Sequence, residues 1–212
     1  MTVKKKLEKI LITKGDFLEK IIIIFIFSIL MYRMIFSFFA ENNYISLFYL
    51  MDQFFVLLFT LFRRPAKSFS SNFYVVFLGF AGTLAPLFII PPNIENGIIP
   101  IPLAIIFLLI GFATHFSAKL TLRRSFGVVA ANRGVKITGI YRFVRHPMYL
   151  GYIISLSAIL LAGLNINNVF VFFIACMFFI LRIRAEEKIL VQDESYQDYC
   201  LVVHWRLIPG IF

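Results

Sequence analysis

The sequence has few charged side chains and none of the signatures of a small soluble or secreted domain. Charged residues make up 15% of its 212 residues, hydrophobic residues make up 60%, and the mean hydropathy is +0.88. A core of this size cannot bury so much apolar surface, which excludes a soluble globular domain. Two cysteines, Cys176 and Cys200, are too few for a disulfide framework, so we expect free, reduced thiols. No Gly-x-Gly-x-x-Gly motif follows a strand pattern, which excludes a Rossmann-type cofactor-binding domain.

Long apolar stretches recur along the chain and predict an all-α, polytopic membrane bundle. Four stretches have the length of about 20 residues that a helix needs to cross the hydrocarbon. The fifth is marginal, and the sixth is too short unless its helix continues through Arg182. We therefore predict a C-terminal helical hairpin, with its turn at the Asn-rich segment 164–168. The six stretches are 21–39, 44–62, 73–90, 98–118, 148–164 and 169–181.

The distribution of basic residues predicts the orientation of the chain. The net charge is +10, and the connections 40–43, 91–99 and 165–168 contain no Lys or Arg. The positive-inside rule then places both termini and the loop 119–147 in the cytoplasm, most simply of a bacterial inner membrane. Attraction to anionic lipid headgroups explains the positive net charge, so no nucleic-acid partner is expected. A segment of 20 residues that is rich in charged side chains precedes the first apolar run, which indicates a retained signal anchor.

One arginine, one aspartate and one histidine lie within the apolar stretches. Arg33 and Asp52 are at similar depths in the first two spans, where an ionised group is costly unless it is paired, so we expect a structural ion pair. His115 lies near the cytoplasmic end of the fourth stretch and is interpreted as an interfacial residue. Because no second His, Cys or carboxylate follows it at i+3 or i+4, we expect no metal site.

Polar residues are concentrated in the segment between the fourth and the fifth apolar stretch. Pro147 is typical of a helix start and favours an extended or turn conformation at His146. Arg145 and His146 would then lie at a helix N-terminus, where backbone amides and the helix dipole favour an anion such as a carboxylate. The alternative interpretation is a basic membrane-edge segment whose arginines reach the headgroups.

A second polar cluster, at 182–188, ends the sixth stretch and contains the adjacent acids Glu186 and Glu187. Arg182 and Glu186 form an i,i+4 pair, so the simplest interpretation is a solvated helix end. Two acids near a helix C-terminus oppose the dipole, however, and a bound cation would explain them. The two clusters end the two arms of one hairpin and can share a pocket. A ligand with a carboxylate and an ammonium fits that polarity.

At this point the residues resemble a known family. The segment 139–151 contains Arg-His-Pro-x-Tyr-x-Gly, Glu186 and Glu187 follow about 35 residues later, and the sequence 205–209 reads Trp-Arg-Leu-Ile-Pro. This pattern, over residues 115–212, is similar to the isoprenylcysteine carboxyl methyltransferase and phospholipid N-methyltransferase group of membrane enzymes. We accordingly divide the chain into 1–118, with four transmembrane helices, and 119–212, the methyltransferase region.

The resemblance implies an enzyme that binds S-adenosylmethionine at the cytoplasmic face and methylates a lipophilic acceptor from the bilayer. It implies that one side of the cofactor contacts the Arg-His-Pro-x-Tyr-x-Gly motif and the other contacts the two acids. The implied cofactor-binding residues are Arg145, His146, Tyr149, Gly151, Glu186 and Glu187. The amino-acid tail of that cofactor matches the carboxylate-and-ammonium ligand deduced above, and carboxylates or aromatic faces can stabilise its sulfonium.

The acceptor decides which side chains take part in the chemistry. For a carboxylate of the prenylcysteine kind, Arg206 is the candidate that holds it. For an amine of an amino-lipid, Glu186 is the candidate base. The segment 193–199 is predicted to form a cytoplasmic helix over the pocket, with Tyr196 and Tyr199 in packing roles.

Two other functions remain open at this point. One is an NADPH-dependent reductase of the steroid-reductase type, although those enzymes more often carry an acid where this chain has Tyr152. The other is a membrane transporter or non-catalytic scaffold, in which Arg33 and Asp52 would mark a pathway.

Overall fold

The computed structural model describes residues 3–41, 45–66, 68–69, 72–90 and 94–212, and these residues are mostly helical. A short antiparallel ladder joins β1 (Ser68–Phe69) to β2 (Ala131–Asn132), with Ser68 opposite Asn132. The described helices are α1 (Val3–Glu41), α2 (Ile45–Leu61), α3 (Phe73–Leu84), α4 (Ile101–Leu122), α5 (Pro147–Ala162), α6 (Ile166–Leu190) and α7 (Glu194–Val202). Single 3-10 turns cover Ala85–Phe88, Ile94–Asn96, Arg123–Ser125 and Gly139–Arg142.

The last three helices begin where local chemistry predicts. Helix α5 starts at Pro147, which needs no hydrogen-bond acceptor for its nitrogen, and His146 is its N-cap. Asn165 caps α6 by accepting from the Asn167 N–H at 2.8 Å, and this confirms the predicted Asn turn between α5 and α6. Asp193 caps α7 in the same way, so the predicted helix after α6 is present.

The helix lengths differ from the prediction. Among the described residues, α4 with its following turn and α6 are the two helices long and apolar enough to cross a membrane. Helix α6 has 25 residues because it continues past Arg182 to Leu190, which meets the condition under which the sixth stretch could span. The third stretch, predicted as one span, is instead α3 followed by a 3-10 turn, because Pro86 cannot donate the next helical hydrogen bond.

The outer faces of the long helices are apolar and exposed. Only 22% of the apolar window of α4 and 28% of that of α6 is buried inside the protein. The core helix of a soluble protein would be mostly buried, so these faces fit a lipid environment. The interior is formed by apolar side chains from six helices, including Ile23, Phe27, Val56, Tyr149 and Phe179.

Helices α4 and α5 cross where Gly111 of α4 meets Gly151 of α5. A Cβ atom on Gly151 would lie 2.7 Å from the Gly111 carbonyl oxygen and 2.8 Å from the His115 Cβ. A Cβ atom on Gly111 would in turn lie 2.8 Å from the Gly151 carbonyl oxygen. The two backbones therefore approach closely here, as small residues allow in membrane helix pairs.

A buried ion pair joins α2 to α4. Lys119, which is fully buried, donates to Asp52 at 2.5 Å, and His115 Nδ1 lies 3.6 Å from the same carboxylate oxygen. His115 is 6% exposed and packs on the Tyr152 ring, so its interpretation as an interfacial residue is wrong. The side chain of Arg33, the predicted partner of Asp52, lies outside the described part of the structure.

Candidate active site

The start of α5 is held against the C-terminal segment by backbone hydrogen bonds. The Arg145 N–H donates to the Trp205 carbonyl at 2.9 Å, and the His146 N–H donates to the Arg206 carbonyl at 2.8 Å. His146 has an irregular backbone (φ −127°, ψ 56°), because the following proline disfavours the helical region. Residues far apart in sequence are thereby fixed at one helix N-terminus.

Glu187 lies at the centre of the charged groups that these contacts bring together. Its Oε1 accepts from Tyr196 at 3.3 Å, lies 3.2 Å from His146 Nε2 and lies 3.4 Å from Arg145 Nη1. Its Oε2 accepts from Arg206 Nε at 2.7 Å. One carboxylate therefore joins α6, α7, the start of α5 and the C-terminal segment.

Glu186 points to a different set of partners. Its Oε1 accepts from the Tyr149 hydroxyl at 2.5 Å and from Arg182 Nε at 3.0 Å, which confirms the predicted i,i+4 pair. Its Oε2 lies 3.8 Å from His146 Nδ1. The helix end is not simply solvated, because Arg182 is 4% exposed and its guanidinium lies 5.3 Å from the centre of the Tyr149 ring.

A cavity lies between these groups and the loop that follows α4. The start of α5 and the two residues before it contribute Arg145, His146, Met148 and Tyr149 to its wall. The end of α6 contributes Glu186 and Leu190. Helix α7 contributes Tyr196 and Tyr199, so the predicted covering helix does line the cavity. The remaining wall is formed by Leu122, Ser125, Gly127, Val129, Ala130, Ala131, Arg133, Gly134, Val135, Lys136 and Tyr141.

Three of the predicted site residues do not line this cavity. Glu187 and Arg206 are not part of its wall and pair with each other. Gly151 lies at the crossing of α4 and α5, where its lack of a side chain permits close helix packing. The structure therefore brings Arg145, His146, Tyr149 and Glu186 directly to the cavity and gives Gly151 a packing environment instead.

The tyrosines of α7 act as hydrogen-bond donors. Burial, followed by the negative charge of Glu187, raises the pKa of Tyr196, so its hydroxyl stays protonated and donates to that carboxylate. Burial likewise raises the pKa of Tyr199, whose hydroxyl donates to the Tyr141 carbonyl at 2.6 Å. These contacts agree with the packing roles predicted for both residues.

Sequence reasoning missed the loop 126–136, which forms about half of the cavity wall. Asn132 fixes it by donating to Asp193 at 2.7 Å and accepting from the Gly134 N–H at 2.9 Å. Gly134 has a positive φ of 104°, which favours glycine. The only local signal of this loop is its run of small residues between Gly127 and Gly134.

The arrangement suits an anionic group and a cationic group bound side by side. Arg145 and His146 supply donors at a helix N-terminus, while Glu186 supplies negative charge across the cavity. Arg145 Nε is buried and has no hydrogen-bond partner among the described residues. Within the same residues, no group of three His, Cys, Asp or Glu side chains could hold a metal ion.

Comparison with known proteins gives consistent matches. A curated relative, the protein-S-isoprenylcysteine O-methyltransferase of Schizosaccharomyces pombe, is 33% identical over 101 residues, which are 44% of this chain and 43% of that protein. The match thus spans less than half of that relative's length.

A solved structure shares the fold over the whole chain. It is that of the eukaryotic intramembrane Ras methyltransferase named isoprenylcysteine carboxyl methyltransferase, with a TM-score of 0.50 and 16% identity. The alignment covers 100% of this chain and 99% of the other. At this identity the likeness is one of fold.

The profile of the isoprenylcysteine carboxyl methyltransferase family matches residues 104–192, a range that includes α4, α5, α6 and the loop 126–136. It also includes Arg145, His146, Tyr149 and Glu186, the four predicted residues that line the cavity. Residues 104–192, which are less than half of the chain, are therefore similar to the isoprenylcysteine carboxyl methyltransferase family.

Proposed function

We propose that the protein is an S-adenosylmethionine-dependent methyltransferase that esterifies the carboxylate of a prenylcysteine-like, membrane-dissolved acceptor. The observation that carries this proposal is the cavity at the start of α5, where Arg145 and His146 face Glu186 within the family-matched region. The name of the yeast relative supports a prenylcysteine acceptor, and the family match favours methyl transfer over the NADPH-dependent reductase and the scaffold.

The residues around the cavity fit the proposed cofactor. A free carboxylate and a free ammonium are the two charged ends of its amino-acid tail. Arg145, with its unpaired buried Nε, would hold the carboxylate together with His146, and Glu186 would hold the ammonium. Tyr149, Tyr196 and Tyr199 supply aromatic walls for a cationic centre. When bound, the cofactor supplies an activated methyl group.

The chain itself has to align the reacting groups and exclude water. Alignment can lower the barrier by many kcal/mol without any nucleophilic side chain, roughly 7–11 kcal/mol in well-oriented intramolecular reactions. Helix α7 and the loop 126–136 close the cavity from two sides, which limits the access of water.

The role proposed for Glu186 favours a carboxylate acceptor over an amine. An amine would need a base to remove a proton, but one oxygen of Glu186 accepts from Tyr149 and Arg182 and the other is assigned to the ammonium of the cofactor. A carboxylate attacks in its ordinary ionised form and needs no base. Arg206 would hold it, because its side chain is 38% exposed while its Nε is fixed by Glu187.

We further propose that the first four apolar stretches and the α5–α6 hairpin lie in the membrane, with the cavity on the cytoplasmic side. The 20 Lys and Arg residues outside the six apolar stretches support this orientation. The length of α6 supports full crossing by that helix.

The proposed activity can be tested with purified protein in lipid vesicles. We expect radiolabelled S-adenosylmethionine to give a base-labile methyl ester on N-acetyl-S-farnesylcysteine and no label on the corresponding carboxamide. Label that is stable to base and appears on phosphatidylethanolamine would replace this acceptor by an amino-lipid. Absence of transfer to either, together with absence of S-adenosylhomocysteine binding, would reject the methyltransferase proposal.

A further inference from the structure

Four charged side chains are buried together beside the cavity, where α1, the segment that follows α2 and the loop 126–136 meet. Glu19, Arg63 and Arg133 have side chains that are 1–2% exposed, and Asp16 is 15% exposed. Arg63 and Arg133 each donate to Glu19 Oε2 at 3.0 Å, and each is also within 3.0 Å of the Asp16 carboxylate. The two acids and two bases balance, which allows their burial.

Glu19 also binds the backbone of the loop directly. Its Oε1 accepts from the Val128 N–H at 3.1 Å and from the Val129 N–H at 2.9 Å. Both oxygens of the carboxylate are therefore in use, one by the arginines and one by two consecutive loop amides. Two adjacent N–H groups without a carbonyl partner would be costly if this acceptor were lost.

The loop held in this way forms about half of the cavity wall. Val129 and Arg133 line the cavity, and Gly79 of α3 packs against the loop. A Cβ atom on Gly79 would lie 2.8 Å from the Val128 carbonyl oxygen, so the loop is pressed against α3. The Arg133 guanidinium folds back onto Gly127, where a Cβ atom would collide with it.

We propose that Glu19 is a positioning residue for the cofactor cavity: it fixes the Val128–Val129 backbone, and with Arg133 it sets the wall that faces Arg145 and Glu186. This inference rests on the proposed function for the identity of the ligand. Glu19 lies outside the family-matched residues 104–192, so α1 would contribute to the site without touching the ligand.

The test compares three variants of the full-length protein purified in detergent. Glu19→Ala removes the acceptor of both loop amides. Glu19→Gln keeps one oxygen, which the amides and arginines must share. Arg63→Gln is the matched control, because it disturbs the same buried charges but leaves Glu19 on the loop. Each is measured by apo melting temperature, by hydrogen–deuterium exchange of the loop 126–136 and by calorimetric affinity for S-adenosylhomocysteine.

We expect all three variants to melt below the wild type. Glu19→Ala should weaken S-adenosylhomocysteine binding about tenfold or more and speed loop exchange, with Glu19→Gln intermediate. Arg63→Gln should bind and exchange in the loop like the wild type. Wild-type loop exchange in both Glu19 variants, or an equal loss of affinity in Arg63→Gln, would overturn the proposal.

The exchange measurement separates this inference from the proposed function. If the wild type did not bind S-adenosylhomocysteine, the cofactor assignment would fail, while faster exchange confined to the loop 126–136 would still support its fixation by Glu19.

Discussion

The substitution Arg145→Lys separates a cofactor site from a basic residue at the membrane edge. Arg145 is held in place by three contacts of its guanidinium: Nη1 donates to Cys200 Sγ at 2.8 Å, Nη2 donates to the His204 carbonyl at 3.2 Å, and Nη1 lies 3.4 Å from Glu187. Its Nε is buried and unpartnered among the described residues. Lysine keeps the charge but has a single nitrogen, so it cannot keep these contacts and bind a carboxylate as well.

The expected loss follows from one charge-assisted hydrogen bond. Such a bond contributes about 1.5–3 kcal/mol, which corresponds to roughly a ten- to hundredfold weaker S-adenosylhomocysteine affinity. The measurement is the ligand-induced rise in melting temperature over a concentration series, which reports affinity separately from apo stability. Arg142→Lys is the matched control, since Arg142 is an exposed arginine three residues earlier.

Headgroup attraction depends mainly on charge, so a membrane-edge role predicts that both lysine variants keep the wild-type ligand shift. That result would remove Arg145 from the cofactor site. Equal losses in both variants would point to a general effect of basic charge at this face instead.

Three further outcomes are expected. Glu186→Gln and Glu187→Gln should both lower apo melting, because the first leaves the buried Arg182 without its acid and the second leaves Arg145 and Arg206 without theirs. Glu186→Gln should in addition weaken S-adenosylhomocysteine binding by about 1.5–3 kcal/mol in calorimetry, and Glu187→Gln should weaken it less, because only Glu186 lines the cavity; equal losses of affinity would contradict their different positions. Gly151→Ala should destabilise the apo protein by about 1–3 kcal/mol, measured by thermal melting, and a wild-type melting temperature would argue against the close α4–α5 crossing. Single cysteines at Asn96 and Lys136 should label from outside and inside respectively with an impermeant maleimide, and the reverse pattern would invert the topology.

Local chemistry was enough to predict the parts of the site that lie next to a helix end. Pro147 marks the start of α5, and the spacing of Arg182 and Glu186 gives their ion pair, because both signals depend on a few neighbouring residues. The all-α fold likewise follows from apolar stretches that need no tertiary information. The order Arg-His-Pro, then two acids, was sufficient to indicate the family.

Long-range pairing was not predictable from the same patterns. The sequence predicted an interfacial position for His115 and did not single out Lys119, yet both lie in a buried cluster with Asp52, which is 67 residues before Lys119. Glu19 is 109 residues from Val128, and no periodicity connects a helix side chain to loop amides at that distance. Buried charges that are paired across elements have no local signature, since their stability depends on a partner elsewhere.

The two adjacent acids of α6 illustrate how one sequence pattern divides into two roles. Consecutive positions on a helix point about 100° apart, so the two side chains cannot share one set of partners. Glu187 turns toward the C-terminal segment and balances Arg206, Arg145 and His146, which fixes the start of α5. Glu186 turns toward the cavity: its Oε1 pairs with Arg182, and among the described residues its Oε2 lies near a single polar group, His146 Nδ1 at 3.8 Å. A cationic ligand would therefore meet the Oε2 of Glu186, whereas both oxygens of Glu187 already have partners within the protein.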